Sequence, residues 1–258
     1  MARTGLGFLL TLAMLLAVAL PAEADEEPAC VAPSTLAAAT RLPRLAASLK
    51  ETAPTTVMVL NSSAGSAKSN LTGEVSGDAV PRSFPSYVQE ALRNRYPDGR
   101  VVVVTRNEPR RTAAEVIVAL PQLLAQDKPT LMIWQTGTHD AIRGVSVDGF
   151  ADAVAAGIDL AHGAGADVII VSPQYSPRTD FAFDVTPYVA TLRWVTRSRD
   201  VGFFDRMALM RYWSDEAVFD FSGGRSNAAL FNNVHRCIGR LLIRMISEGV
   251  DLKTVGSH

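Results

Sequence analysis

Apolar positions along this chain fall into two alternating patterns. Residues 56–60, 100–105, 131–135, 167–172 and 201–204 form short apolar runs, rich in β-branched side chains and bounded by polar, Gly or Pro positions. Such runs predict buried strands. Between them apolar residues recur at helical spacing, over 84–96, 112–125, 147–164, 185–198, 206–213 and 229–248. A first helical stretch, 34–49, has Ser34 as its N-cap and Pro43 marking a break or a second start. Alternation at this spacing predicts an α/β domain with a parallel sheet covered by helices on both faces. Within it, residues 101–104 are apolar enough to predict burial on both sides of their strand.

Several connections are too polar or too long to be simple turns. Residues 64–82 are rich in Gly, Ser and Asn and leave directly from the first strand, which predicts one wall of a site. The segments 106–111, 173–177 and 214–227 are also loop-like. No internal repeat or interdomain linker interrupts residues 25–258, so they are read as one domain.

With 258 residues and 48% hydrophobic content, the chain can bury a full core. A net charge of -1, with basic residues scattered rather than massed, excludes an electrostatic footprint for nucleic acid. At the N-terminus Arg3 precedes an apolar run from Leu6 to Leu20 and then Pro21-Ala22-Glu23-Ala24. This is the pattern of a signal peptide over 1–24, too short for a stable membrane span, and predicts a periplasmic or secreted protein beginning near Asp25. Glu27, close before Cys30, argues against a lipid anchor. Cys30 and Cys237 are the two cysteines, and in an oxidising compartment a bridge between them is expected, tying the mature N-terminus to the last helix. The alternative is two buried free thiols.

Candidate chemistry gathers where strands end. The first strand breaks into Asn61-Ser62-Ser63-Ala64-Gly65-Ser66 and the third into Thr136-Gly137-Thr138-His139-Asp140. In an open α/β sheet, ligands sit beyond the carboxyl ends of the strands, so Ser63 is a candidate nucleophile. The plainer alternative is that these serines fill a turn.

At these residues the chain resembles the SGNH/GDSL hydrolase superfamily, particularly exported bacterial members with a Gly-Ser-Ser nucleophile block. Asn61-Ser62-Ser63 matches that block, Gly137-Thr138-His139-Asp140 matches the Gly-x-Asn-Asp block, and the element order agrees over nearly the whole mature chain. The resemblance implies a three-layer α/β/α flavodoxin-like SGNH fold with a five-stranded parallel sheet. It also implies ester hydrolysis through Ser63, with an oxyanion hole of the Ser63 and Arg110 N–H groups and the His139 side chain. Arg110 stands where the superfamily has glycine and lacks glycine's freedom to take positive φ. His139 replaces an asparagine; a neutral imidazole can donate one hydrogen bond there, or it can simply tie two loops together.

The superfamily carries its base in an Asp-x-x-His motif before the last helix. Asn232-Asn233-Val234-His235 puts His235 at the base, with Asn232 orienting it but supplying no charge. A second register, set on Arg236-Cys237-Ile238, puts acid and base on Ser226 and Ala229, and the base is then gone. Asp140 is read as a structural partner of backbone N–H groups, and Arg110 with Arg111 as solvated or as an anion contact. His162 and the terminal His258 are poorly placed for catalysis, and the sequon Asn70-Leu71-Thr72 is short enough to arise by chance. No ligand spacing suggests a metal and no phosphate loop follows the first strand, so no cofactor is expected. The expected function is an exported esterase acting on acyl or acetyl esters of an envelope glycan or lipid. The alternative is an inactive relative that binds a saccharide or a partner protein. Substrate and oligomeric state are left open.

Overall fold

The structure, a computed structural model, describes residues 30–33, 36, 40–51, 54–61, 82–175, 177, 182–222 and 228–251. Five parallel strands, β1 (Thr55–Asn61), β2 (Val101–Asn107), β3 (Leu131–Gln135), β4 (Asp167–Val171) and β5 (Gly202–Phe204), form one sheet in the order β2-β1-β3-β4-β5. Eight helices surround it among the described residues: α1 (Pro43–Lys50), α2 (Phe84–Arg95), α3 (Ala113–Asp127), α4 (Thr138–Ile142), α5 (Val147–Gly163), α6 (Thr186–Ser198), α7 (Arg206–Asp215) and α8 (Ala228–Asp251).

The two-residue side-chain period of each strand sorts the core into two layers. Val57, Val59, Leu131, Ile133, Ile169 and Val171 join one cluster with Leu45, Val88, Leu241 and Leu242 of α1, α2 and α8. Their neighbours Met58, Leu60, Met132, Trp134, Val168 and Ile170 join the other, with Val116, Val154, Ile158 and Leu192 of α3, α5 and α6. This is the three-layer α/β/α architecture that the alternation of elements predicts. α5 comes so close to β3 that a Cβ on Gly157 would lie 2.4 Å from the Trp134 ring.

β2 departs from expectation. Its burial alternates and Val102 is 43% exposed, because β2 lies at the edge of the sheet and one of its faces is left to solvent. Pro43 opens α1, so of the two readings it marks a helix start. α3 opens with a capping box: the Thr112 hydroxyl accepts from the Glu115 N–H, and the Glu115 carboxylate accepts from the Thr112 N–H.

Cys30 and Cys237 are bonded to each other, and the Trp213 indole N–H donates to the Val31 carbonyl at 2.7 Å. Together these contacts hold the first described residues against α7 and α8. Among the described residues no helix is long and apolar enough to cross a membrane. The proposed leader, 1–24, lies outside the described residues.

Candidate active site

Chain order reverses between β1 and β3, since the strand that follows β1 in sequence lies on its other side. In doubly wound sheets this is the point where a crevice opens beyond the strand ends. Register brings those ends to one rim: Asn61 is paired with both Asn107 and Gln135, Gln135 with Val171, and Val171 with Phe204. Ser62 and Ser63, which follow Asn61 in sequence, lie outside the described residues, as do residues 64–81 and Ser226.

The turn after β2 is built around an unusual backbone. Glu108 N–H donates to the Asn61 carbonyl at 2.8 Å, which extends the β1–β2 ladder to its last rung. Arg110 then takes φ 63, in the left-handed region. A residue with a Cβ loses roughly 1–2 kcal/mol there, so the turn is held by its surroundings. The Arg143 guanidinium donates to the Arg110 carbonyl at 2.6 Å and pairs with Glu115 at 2.7 Å, while Arg111 pairs with Glu108 at 3.1 Å. Arginine, without glycine's conformational freedom, thus keeps a glycine-like turn against its intrinsic cost. Arg110→Gly is expected to leave the fold intact and to raise stability by up to about 1 kcal/mol in urea unfolding, whereas Arg110→Val should lower it. Equal losses in both variants would show that the turn is not strained.

Gly137 starts α4 at φ 100, and a Cβ on it would sit 3.3 Å from Pro173 and 3.4 Å from Phe150, so both angle and space call for glycine. α4 carries His139 and Asp140. The Asp140 carboxylate is buried and accepts the Ala113 N–H at 2.9 Å, which caps the start of α3. This is the structural role expected for it; burial raises its pKa, with the backbone donors opposing. His139 is partly exposed, and its pKa is lowered by burial first and then by the charges of Arg143 and Arg110. That shift favours the neutral imidazole, which has one N–H to donate.

His235 departs from the role expected of a base. It is buried, stacked parallel to Phe84 at 6.1 Å and packed on Phe231 at 4.1 Å. Its Nδ1 accepts the Phe84 N–H at 3.0 Å. Ser83 precedes α2 without a side-chain cap bond, so His235 supplies that cap from another helix. An imidazole that accepts at Nδ1 carries its proton on Nε2, the opposite tautomer from the one a serine base needs. Burial, and secondarily Arg206, hold its pKa well below the usual value. Asn232 does not orient it: the Asn232 Oδ1 accepts the Arg82 N–H at 2.7 Å. The physical reason is the position of α8. It begins at Ala228, so 232–235 lie inside the helix instead of in the turn before it, and both side chains serve the start of α2. In the second register the base position, Ala229, falls in the first turn of α8 and has no group to carry a proton.

One cluster escapes the sequence reading. Arg206, the first residue of α7, is buried and donates through its two terminal nitrogens to the Gln135 and Gln174 side-chain oxygens, each at 3.1 Å. The signal available was a pair of charged residues, Asp205 and Arg206, after a buried strand. Among the described residues no group of His, Cys, Asp and Glu could hold a metal ion.

A family model described as the Non-GDSL lipase-like family matches residues 29–252. An arylesterase of Vibrio mimicus is 29% identical over 116 residues, 43% of this chain and 57% of that protein. The match thus spans little more than half the length of that relative. An acetylxylan esterase from Geobacillus stearothermophilus superposes with a TM-score of 0.59 at 15% identity, over 81% of this chain and 100% of its own. Catalytic mutants of that enzyme replace a serine, an aspartate and a histidine. The psychrotrophic esterase EstA from Pseudoalteromonas sp. gives a TM-score of 0.53 at 13% identity, over 74% of this chain and 98% of its own. At these identities the structural likeness shows the fold alone.

Proposed function

We propose a function that proceeds from membership: this chain belongs to the Non-GDSL lipase-like family, whose model matches residues 29–252. On this reading it is an exported serine ester hydrolase of slow turnover, acting on acyl or acetyl esters of an envelope glycan or lipid. Ser63 attacks the ester carbonyl, the alcohol departs with a proton, and water then releases the acyl group from Ser63 as a carboxylic acid. The N–H groups of Ser63 and Arg110 and the neutral imidazole of His139 hold the oxyanion. The observation that carries the reading is Arg110 at φ 63, a costly conformation at the position where the superfamily keeps its oxyanion-hole glycine. Export is supported by the leader pattern and by the disulfide.

His235 is not assigned as the base. A serine hydrolase that lacks one member of its triad still accelerates hydrolysis about 10³–10⁴-fold over water, through the oxyanion hole and binding. That sets the expected rate. The second reading, an inactive relative that binds a saccharide or a partner protein, rests on the same His235 and Asn232 bonds, which leave the serine no base from that motif.

The test uses residues 25–258 with the disulfide intact, a fluorophosphonate probe and p-nitrophenyl acetate. Wild type is expected to label slowly and hydrolyse the ester, with both signals lost in Ser63→Ala and kept in His235→Gln. A folded wild type that does not label, but retains acetylated glycan in a pull-down, would establish the binding reading instead.

A further inference from the structure

Arg206 is 2% exposed at the strand-end rim, yet the two groups that bind it are neutral amides. Its Nε is buried without a hydrogen-bond partner. The acid next to it in sequence is used elsewhere: Asp205 accepts from Ser172 at 3.3 Å, from the Ala208 N–H at 3.1 Å and from Arg193 at 2.8 Å. Burial pushes the guanidinium's pKa down to about 10, and among the described residues no carboxylate offsets that. Among the described residues this is a buried cation with no counter-ion. Such a group is destabilising unless something neutralises it.

Its position suggests what that is. Gln135 ends β3 beside Asn61, two positions before Ser63, and Gln174 follows β4 at the exposed end of the cluster. The guanidinium is therefore tied to two side chains that stand at the carboxyl ends of β3 and β4, the latter exposed. His235 is close enough to feel its charge and stays neutral, so the cluster presents a single positive charge. A planar fork with an unused Nε–H suits a planar carboxylate better than a point anion.

We infer that Arg206, steered by Gln135 and Gln174, is the recognition point for a carboxylate on the ligand of this rim, so that the preferred esters are anionic. The inference rests on the reading of the rim as an ester site and narrows it to carboxylate-bearing substrates. The carboxylate can stand on the acyl side, as in a succinyl half-ester, or on the sugar side, as in an acetylated uronic acid.

The experiment is calorimetric titration of the disulfide-intact protein with succinate, glucuronate and, as the neutral control, glucose, in the Ser63→Ala background so that nothing is turned over. Succinate or glucuronate is expected to bind, glucose not, and whichever carboxylate binds identifies its side of the ester. Arg206→Met should weaken that binding about ten-fold or more. It should also keep or raise the unfolding midpoint, since it removes an uncompensated buried charge. Gln174→Leu, at the exposed end, gives a second variant if Arg206→Met fails to fold, and should also weaken binding. Absence of binding by either carboxylate, or equal affinity in folded Arg206→Met, or in Gln174→Leu where Arg206→Met does not fold, overturns the inference. Carboxylate binding that depends on Arg206, in a protein whose Ser63 does not label, would sink the hydrolase reading and leave this one standing.

Discussion

Removing the Cys30–Cys237 bridge is expected to lower the unfolding free energy by about 5 kcal/mol, the figure for closing a loop of this length in the unfolded chain. The two cysteines are 207 positions apart, so the constraint reaches most of the chain. A domain of ordinary stability has roughly 5–15 kcal/mol in total, and a loss of this size brings it to the edge of unfolding at 37 °C. The bridge also acts locally. Cys237 is fully buried in the cluster under α8, and Cys30 is the covalent anchor of the segment whose Val31 carbonyl takes the Trp213 N–H. Without the anchor, that bond has to be held by a chain end free to fray. Urea unfolding of wild type, of the reduced protein and of Cys30→Ser with Cys237→Ala checks this. Reduced protein and double variant should agree with each other and lie far below wild type; a gap under about 1 kcal/mol would mean that packing, not the bridge, fixes the N-terminal segment.

How much of this was legible in the sequence depends on what each residue needed to be told. Strand β3 is read with its observed bounds, and α2 and α5 within a residue, because central strands and amphipathic helices write their burial into periodicity. Edge position leaves no such mark: residues 101–104 are as apolar as a central strand, and only the sheet order reveals that β2 has one neighbour. At Arg110 the sequence shows a side chain but not φ, which is imposed by the last rung of the β1–β2 ladder and by the cap of α3. Asn232 and His235 are misread for a related reason. Three-residue spacing is the same in a catalytic turn and on a helix face, and only the start of α8 at Ala228 tells the two apart. Arg206 could have been suspected, since a charge two positions after the buried strand 201–204 must find company inside the protein.

His235 offers the second large effect, and its sign can be worked out. In the unfolded chain the imidazole titrates near 6.5; in the folded protein burial and Arg206 hold its pKa well below that. Above pH 6.5 both states are neutral, and the Phe84 N–H bond contributes in full. As pH falls below 6.5 the unfolded chain takes up a proton that the folded protein refuses, so stability is lost, at up to about 1.4 kcal/mol per pH unit, until the folded-state pKa is reached. His139 and His162, also lowered, pull in the same direction but are only partly buried, while the raised pKa values of Asp140 and Asp167 act oppositely nearer pH 4. The decisive quantity is therefore the difference between wild type and His235→Gln, whose side-chain oxygen can still accept from Phe84 but cannot titrate. Wild type is expected to lose about 2 kcal/mol more than His235→Gln between pH 6.5 and 5. His235→Leu should lose about 1–3 kcal/mol at neutral pH, because it leaves the Phe84 N–H buried and unpaired, and should share the flatter acid profile. If His235→Gln is as acid-sensitive as wild type, the imidazole is not the group that caps α2. Should it also abolish fluorophosphonate labelling with stability unchanged, Nε2 must carry a free lone pair in solution and His235 returns as the base.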